Sequence, residues 1–493
     1  MLSIVYPKCS KEYFSAISDL LRRYGVGNVV ECDSLSVPSI PTGYEEVILV
    51  NSAHQFSNSA IRRVTFRTAR LPKAFVVWDS PLQQQVFIIR VPLATFAEQQ
   101  SIHQQISPTI NALVQQKTLV SFTMHEFCSN SATSVGGSFS DSGVHQYFAK
   151  VAKGRGAQKL LDEIQMYQSL PADLKDYYPQ LLFQSEQMET VSMGTHFQDF
   201  PNMRDLFLNG DLSAAEVAQI LSEVLDYEYN RAFLEHKQPT PPNYLRDYHF
   251  HRVWRRLMMS VEIDPIFSQL LSAHSLEING QRMANIPAML RSIEDSDEAL
   301  QRLDPGGVSP FIHADLHLGN IICDVKTNRF WLVDPRGYPV CDIYYDLGKL
   351  TQSTYSCYDL LHEGRHEVRY EVNGDVATIN YHFLTPILQE QYADLDERLK
   401  PIINQLLDAN IEGPDVDLRI RFNEAMHYCS LMPFHIHPEA QPSLAVPIFA
   451  RGAKLLADVV GLLGISMDEC AGRQAGGMER LAEMGHARWC FDS

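Results

Sequence analysis

The sequence predicts an α+β protein in which a strand-rich region is followed by a long, mostly helical region. Two observations favour this prediction. Up to about residue 200, short apolar runs rich in β-branched residues alternate with turn residues and a few helical stretches. Beyond that point, apolar residues recur mainly at helical spacing. The 493 residues suffice for two or three domains, and a hydrophobic content of 45% is typical of a globular core.

The composition argues against several classes of partner. A net charge of −18 disfavours nonspecific binding to DNA or to anionic membranes, and it is compatible with a cationic substrate. The nine cysteines are an odd number without a Cys-x-x-Cys pair, which favours a reducing compartment and no zinc site. The N-terminus lacks signal-peptide organisation, and no apolar run reaches membrane-spanning length. We therefore expect a cytoplasmic protein with no nucleic-acid partner and no membrane span, and its oligomeric state stays open.

Residues 1–117 are predicted to form a small α/β domain. Asn51 and Asp79 follow predicted strands, where α/β sheets place ligands, although turn residues at strand ends are the commoner explanation. No phosphate-binding glycine motif occurs there, so the sequence assigns no function to this domain. A helix at about 98–116 is expected to link it to the next domain. The predicted strands are Leu2–Tyr6, Val29–Val30, Glu46–Val50, Ala74–Trp78 and Val86–Val91, with a helix at Tyr13–Tyr24.

The most informative stretch is HADLHLGNIICDVKTNRFWLVDPRG, residues 313–337. Two apolar runs on either side of the polar turn at 324–329 predict a β-hairpin. Three polar residues, Asp315, Asn320 and Asp334, then meet at one end of it. Phosphoryl transfer from a nucleotide needs such a set, because one carboxylate accepts the alcohol proton while an amide oxygen and a second carboxylate hold Mg²⁺.

The spacing of Asp315 and Asn320 equals that in the protein-kinase catalytic loop, and Asp334 stands where a kinase has the Asp of Asp-Phe-Gly. Residues 313–320 resemble even more closely the aminoglycoside phosphotransferase/choline kinase family, whose loop typically reads His-Gly-Asp-Leu-His-x-Gly-Asn. A further family element, an Asp-Leu pair opening the next helix, is matched by Asp346-Leu347. The alternative is a surface hairpin with incidental acids, which the order of these features disfavours.

The resemblance implies a role for each of these residues. Asp315 would be the catalytic base, and Asn320 and Asp334 would be the Mg²⁺ ligands. His313 and Asp346 are expected to brace the loop through hydrogen bonds and not to contact the substrate.

Two departures from the family pattern stand out. Ala314 replaces the usual Gly, which we expect to be a small change. Pro335-Arg336-Gly337 replaces the usual Phe-Gly while the preceding Asp is kept. Arg336 either stabilises the transition state or pairs with Asp342, and we favour the structural pair.

The resemblance also implies a lysine–glutamate pair that grips the α- and β-phosphates of ATP. Lys150, in a predicted strand, and Glu163, in the helix that follows, are the candidates. Lys153 and Glu189 are the competing residues, but Lys153 lies at the frayed end of its strand.

Two further contacts to the nucleotide are expected in this part of the chain. The loop 129–133, with Ser131 at its centre, would cover the phosphates although it is not glycine-rich. His196 and Phe197 mark the hinge whose backbone would meet the adenine. The predicted strands here are 120–127, 133–139, 144–152, 180–184 and 190–197, with a helix at 158–170.

The remainder is predicted to be helical apart from one hairpin at Asn373-Gly374. Ser213 and Glu216 suggest a capping box at the start of the first helix. His427, His435 and His437 invite a metal interpretation, but a polar wall of the acceptor pocket is favoured. The predicted helices are 212–236, 247–261, 344–361, 386–407, 414–431 and 444–463.

Taken together, the resemblance implies a two-lobed protein-kinase-like fold, with an N-lobe at 118–205 and a C-lobe at 206–493. The implied activity is an ATP- and Mg²⁺-dependent kinase that phosphorylates a hydroxyl of a sugar, polyol or amino alcohol. The Asp-Pro-Arg-Gly variant and the extra N-terminal domain suggest enzymes of bacterial capsule or surface-glycan biosynthesis. The alternatives are a protein kinase or effector, which would need an Ala-Pro-Glu segment that is absent after Asp334, and a non-catalytic nucleotide-binding scaffold.

Overall fold

A computed structural model describes residues 155–486 except 188–189, 337–338, 408–412 and 437–443. The chain divides into two compact units. Unit 1 comprises Met1–Leu161 and Pro179–Asp199, and unit 2 comprises Asp162–Tyr178 and Phe200–Ser493. Before residue 155 the structure describes only residues 2–6, 14–15, 18–19, 21–22, 28–31, 46–51, 75–77, 88–92, 121–123, 131–140 and 143–153.

Unit 1 begins with a mixed five-stranded sheet in the order β2-β1-β3-β5-β4. Strand β1 is parallel to β2 and β3, whereas β5 is antiparallel to β3 and β4. This confirms the α/β prediction for the region, while Asp79 and the predicted helix 98–116 lie outside the described residues. The strands are β1 Leu2–Tyr6, β2 Asn28–Glu31, β3 Glu46–Asn51, β4 Phe75–Val77 and β5 Ile88–Pro92.

A second sheet of unit 1 is antiparallel throughout, in the order β6-β7-β8-β10-β9. Helix α1, Arg155–Ser169, lies in sequence between β8 and β9. One prediction needs correction, because Ser131 belongs to strand β7 and not to a loop; its backbone extends the ladder opposite Ala152. The strands are β6 Ser121–Thr123, β7 Ser131–Ser140, β8 Gly143–Lys153, β9 Leu181–Gln187 and β10 Thr190–His196.

Unit 2 is mainly helical, as predicted. The capping box of Ser213 and Glu216 is present, since each residue bonds the backbone N–H of the other. Residues 245–250 form a π-helical turn before α4. The helices are α2 Met203–Leu208, α3 Ala214–Asp226, α4 His251–Ile263, α5 Pro265–Ser272, α6 Ile286–Glu294, α7 Asp297–Leu303, α8 Ile343–Thr354, α9 Tyr358–His362, α10 Pro386–Leu406, α11 Val416–Cys429, α12 Ala445–Leu462, α13 Met467–Ala471 and α14 Gln474–His486.

Two small sheets complete unit 2. The hairpin predicted within residues 313–337 is confirmed, and so is the hairpin at Asn373-Gly374. A further hairpin, at Asn279-Gly280, was not predicted although it carries the same turn signal. Its first strand, β11, pairs in parallel with β16, the second strand of the hairpin at Asn373-Gly374. The strands are β11 Ser275–Ile278, β12 Gln281–Ala284, β13 Ile321–Asp324, β14 Arg329–Leu332, β15 His366–Asn373 and β16 Val376–Phe383.

The predicted helix 344–361 is interrupted. Helix α8 ends at Thr354, and Cys357 adopts a left-handed conformation with φ of 54° before α9 begins. The Ser356 hydroxyl between them donates to the buried Glu424 carboxylate. A tertiary contact therefore interrupts an apolar spacing that looks continuous in the sequence. None of the helices that the structure describes is long and apolar enough to cross a membrane.

Helices α8 and α11 approach each other closely at Gly348. A Cβ atom at this position would lie 2.5 Å from the Cβ of Asn423 and 2.7 Å from the backbone nitrogen of Glu424. Backbone cannot yield as a flexible side chain does, so the packing here requires glycine. This contact is one of those that fix the position of α8 in unit 2.

We expect Gly348→Ala to lower the free energy of unfolding by about 1–3 kcal/mol, the usual cost of overpacking. Gly461→Ala is the matched control, because it lies in helix α12 with open space around it. That change should stabilise by roughly 0.5–1 kcal/mol, since alanine is the better helix former. Urea denaturation of both variants measures the difference, and equal stabilities would contradict the close approach.

Candidate active site

One end of the β13–β14 hairpin brings the three predicted catalytic residues together. The Asn320 carbonyl accepts from the backbone N–H of Val333 at 3.0 Å, which places Asn320 beside the residue that precedes Asp334. The Asn320 side-chain Nδ2 donates to the carbonyl of Asp315 at 3.0 Å. Asp334 itself is exposed and has a left-handed backbone with φ of 60°. The grouping expected from the sequence is therefore present in unit 2.

His313 joins the two halves of this arrangement. Its ring is fully buried, Nε2 donates to the carbonyl of Val333 at 2.9 Å, and Nδ1 accepts from the N–H of Asp315 at 3.2 Å. Its own carbonyl accepts from the N–H of Arg336 at 2.9 Å. His313 thus holds the loop and the segment after β14 in register, which is the bracing role that we expected.

Asp346 holds the same loop from helix α8. Its two carboxylate oxygens accept from the N–H groups of Ala314 at 2.9 Å and Leu316 at 3.0 Å. Burial raises the pKa of Asp346 to about 7, against the effect of these two donors. Ala314 has φ of 60°, a conformation that costs a non-glycine residue about 1 kcal/mol or more. The replacement of the family glycine is therefore more demanding than its size suggests, and the Asp346 contact helps to hold the strained backbone.

Asp315 has a partner that the sequence reasoning missed. The Nζ atom of Lys349 lies 3.1 Å from Oδ1 of Asp315, and the side chains are 14% and 40% exposed respectively. Burial opposes ionisation of Asp315, but Lys349, with His317 and Arg336, outweighs it and holds the pKa of this carboxyl well below its usual range. Helical spacing is the signal that could have revealed Lys349, because this residue follows Asp346 by three positions and lies on the same face of helix α8.

The phenol of Tyr345 is the meeting point of two arginines. Nη1 of Arg336 donates to the Tyr345 hydroxyl at 2.5 Å, and Nη1 of Arg252 donates to the same oxygen. The Asp342 carboxylate, which we expected beside Arg336, accepts from the Tyr244 hydroxyl and from the N–H of Tyr345, both at 2.9 Å. One side-chain contact of Arg336 is therefore with the phenol of Tyr345.

The histidines near the C-terminus bond to protein groups. His427 is buried and its Nε2 donates to the carbonyl of Tyr345 at 2.9 Å, and Nε2 of His435 lies 2.9 Å from the hydroxyl of Tyr358. His437 is outside the described residues. Nowhere in the described part of the chain do three or more His, Cys, Asp or Glu side chains form a group that could hold a metal.

Asn320 and Asp334 suit a magnesium ion whose other ligands are phosphates and water. The Asn320 amide nitrogen bonds to the Asp315 carbonyl, which leaves the amide oxygen as the group available for a cation. The exposed carboxylate of Asp334 is the second hard oxygen donor. Mg²⁺ commonly binds through one or two protein groups together with phosphates and water, so this donor set fits the ion.

The predicted nucleotide contacts lie partly in each unit. Lys150 is buried on β8 of unit 1, and Glu163 is buried on the part of α1 that belongs to unit 2. Their pairing stays a prediction. The N–H of His196 already donates to the carbonyl of Gln180 at 2.8 Å, so this donor is used within the sheet. The roles of Ser131 and Phe197 also stay predictions.

Comparisons with known proteins give similarities in structure only. A fructosamine-3-kinase structure from Haemophilus somnus 129PT has a TM-score of 0.36 at 10% identity, covering 66% of this chain and 88% of that one. The ADP-bound aminoglycoside phosphotransferase APH(2'')-Ib gives 0.36 at 13% identity, covering 73% and 99%. The gentamicin complex of APH(2'')-IIa gives 0.33 at 14% identity, covering 74% and 97%.

No protein-family model and no curated protein matches the sequence. Because the TM-scores are below 0.5, the fold assignment depends on the elements of this chain itself. Those elements are an antiparallel five-stranded sheet, the helix that follows its third strand, and a helical unit that contains the catalytic hairpin. They confirm the predicted α+β class.

We expect Lys349→Met to raise the pKa of Asp315, because the variant loses the cation that stabilises the carboxylate. Carboxyl ¹³C NMR titration of aspartate-labelled protein measures this, with Asp315→Asn identifying the resonance. Lys349→Arg keeps the charge and should retain the lowered pKa. The ion pair of Lys349 and Asp315 stabilises the folded state fully at pH values above about 4, the pKa of an aspartate in the unfolded chain. This stabilisation is lost as the pH falls from there towards the lower pKa of Asp315 in the folded protein. Identical titrations of wild type and Lys349→Met would contradict the pairing.

Proposed function

We propose that this protein is an ATP- and Mg²⁺-dependent phosphotransferase that phosphorylates a hydroxyl group of a small molecule. The observation that carries the proposal is the hairpin end, where the Asn320 side chain bonds to the carbonyl of Asp315 and the Asn320 carbonyl bonds to the N–H of Val333, the residue before Asp334. The fixed His313 ring supports the same arrangement. Positioning of this kind suits phosphoryl transfer, in which the protein contributes mainly geometry and charge.

The reaction forms a bond between the acceptor oxygen and the γ-phosphorus of ATP and breaks the bond from that phosphorus to the β–γ bridging oxygen. ADP leaves, and the alcohol proton passes to Asp315. Bound Mg²⁺ would neutralise the phosphate charge, and Asn320 and Asp334 are the residues that would hold it. Lys150, oriented by Glu163, would bind the α- and β-phosphates. Ser131, His196 and Phe197 complete the proposed nucleotide contacts.

Lys349 determines how Asp315 would work as a base. The ion pair occupies Oδ1 of Asp315 and leaves Oδ2 to accept from the substrate hydroxyl. A carboxylate with a lowered pKa is a weak base, so it takes the proton late, when bonding to phosphorus has made the alcohol oxygen acidic. Orientation of the hydroxyl is therefore the main contribution that we assign to Asp315.

The acceptor is proposed to be a sugar, polyol or amino alcohol, with a role in capsule or surface-glycan synthesis in the cytoplasm. The domain boundaries near residues 117 and 205 belong to this proposal.

The rival functions are a nucleotide-binding scaffold and a protein kinase. A mass-spectrometric screen of these alcohols with ATP–Mg²⁺ tests the proposal, and Asp315→Asn is the control. Nucleotide binding without turnover on any alcohol would favour the scaffold.

We expect Asp315→Asn to retain ATP–Mg²⁺ binding while turnover falls by about 10²–10⁴-fold, the usual contribution of general-base assistance. Asparagine keeps the size of the side chain but cannot accept the proton. Calorimetric titration and steady-state kinetics on an acceptor from the screen measure the two effects. Turnover within about threefold of wild type would refute the role as base, given how much larger the usual contribution is.

Asp334→Ala is expected to abolish the Mg²⁺ dependence of nucleotide binding, because it removes the charged member of a two-residue ligand set. Calorimetric titrations of ADP with and without Mg²⁺ measure this effect. The half-buried Asp324, at the far end of β13, provides the control variant Asp324→Ala, which should bind as wild type does. An unchanged response to Mg²⁺ in Asp334→Ala would exclude this residue as a ligand.

A further inference from the structure

We propose that the acceptor alcohol carries a second group that is anionic, a phosphate or a carboxylate, and that Arg252, Arg336 and Lys349 bind it. The proposal rests on the proposed function, in which Asp315 faces the acceptor hydroxyl. It specifies the substrate class of that site, which the predicted range of sugars, polyols and amino alcohols left open.

The first observation is the local charge around Asp315. Lys349 pairs directly with its carboxylate, and Arg336 and Arg252 both donate to Tyr345, which lies four residues before Lys349 on helix α8. Two carboxylates near this helix end are engaged with other groups. Asp342 accepts from Tyr244 and from the backbone of the helix, and Asp346 accepts from two backbone N–H groups. Three cations therefore converge on Asp315 and Tyr345 in this part of unit 2.

The second observation is the crowding of two guanidinium groups on one phenol. Arg252 and Arg336 donate to the same hydroxyl oxygen of Tyr345. Two like charges within hydrogen-bond reach of one oxygen repel each other, and a neutral phenol compensates them poorly. Burial favours the neutral phenol, yet the two arginines outweigh it and lower the pKa of Tyr345. An anion placed between the guanidinium groups would relieve this repulsion.

The third observation is the orientation of Arg252. Its guanidinium stacks on the rings of Tyr248, at 5.1 Å, and Tyr345, at 4.9 Å, which fixes its plane. Its Nε and Nη2 atoms are buried and have no hydrogen-bond partner among the described residues. These atoms form the side of the guanidinium that donates two parallel hydrogen bonds to a phosphate or carboxylate. Unsatisfied buried donors are costly, so a bidentate anion accounts for them.

The convergence of three cations contrasts with the acidic charge of the whole chain. A net charge of −18 is compatible with a cationic substrate. The cations beside Asp315 favour the opposite, since a polycationic acceptor would meet Lys349 and two arginines. Sugar phosphates and sugar acids are the small alcohols that satisfy both the base and the cation cluster. Protein atoms cover Nε and Nη2 of Arg252, so the proposal requires a neighbouring side chain to move and open them to the anion.

Inorganic phosphate is the probe for the test, titrated calorimetrically into the full chain. The titration is performed with Mg²⁺ and a saturating β,γ-imido analogue of ATP, so that the γ-phosphate position is filled. We expect phosphate to bind, and Arg252→Gln and Lys349→Met to weaken binding by about tenfold or more, because each loses a charge-assisted contact. Arg252→Lys keeps the charge but loses the two parallel guanidinium donors, so this variant should also bind phosphate more weakly. The surface variant Arg398→Gln, far along helix α10, is the matched control and should bind as wild type does.

The outcomes separate the acceptor from the nucleotide. Phosphate that binds only when the ATP analogue is absent would show that the cluster serves the γ-phosphate, and the proposal would be overturned. Equal affinity in wild type, Arg252→Gln and Arg252→Lys would overturn it as well. A sugar phosphate that binds where the neutral sugar does not would support it. These titrations do not require turnover, so failure to find a phosphorylated product would count against the proposed function and leave the anion site intact.

Discussion

The bidentate contact of the Asp346 carboxylate with the loop before β13 is the interaction on which the candidate site depends. It links helix α8 to the backbone of Ala314 and Leu316, one of which is held in a left-handed conformation. A loop with strained backbone keeps one conformation only when its surroundings over-determine it. Here the buried carboxylate does so from one side and the His313 ring from the other. The direction of the Asp315 side chain follows from these two constraints.

Helix α8 combines structural and chemical tasks within a few residues. Its N-cap, Asp342, receives the Tyr244 hydroxyl; Asp346 holds the loop; and Lys349 pairs with Asp315. Gly348, between the last two, lets the helix approach α11 closely. A small rotation of the helix would disturb all of these contacts together. We therefore regard α8 as the element that couples the stability of unit 2 to the charge state of the site.

Three cations converge on the candidate site although the chain as a whole is acidic. Net charge describes the surface that a distant partner meets, whereas a pocket is governed by the few charges within several ångströms. The cations at Asp315 and Tyr345 are Lys349, Arg336 and Arg252, which are brought together from helix α8, the segment after β14 and helix α4. This convergence of distant segments motivates the proposal of an anionic acceptor.

The sequence by itself determined the α+β class, the β13–β14 hairpin, the Ser213 capping box and the grouping of Asp315, Asn320 and Asp334. These features depend on residues close together in the chain, where periodicity, turn signals and motif spacing are informative. Only the tertiary structure decided the strand position of Ser131, the break of α8 before Cys357, the Tyr345 partner of Arg336 and the pairing of Lys349 with Asp315. The strand position is set by pairing with β8, and the break by the contact of Ser356 with Glu424. The two side-chain contacts are set by the docking of helix α8 against the loop before β13, because helical spacing shows which residues share a face but not which loop that face meets.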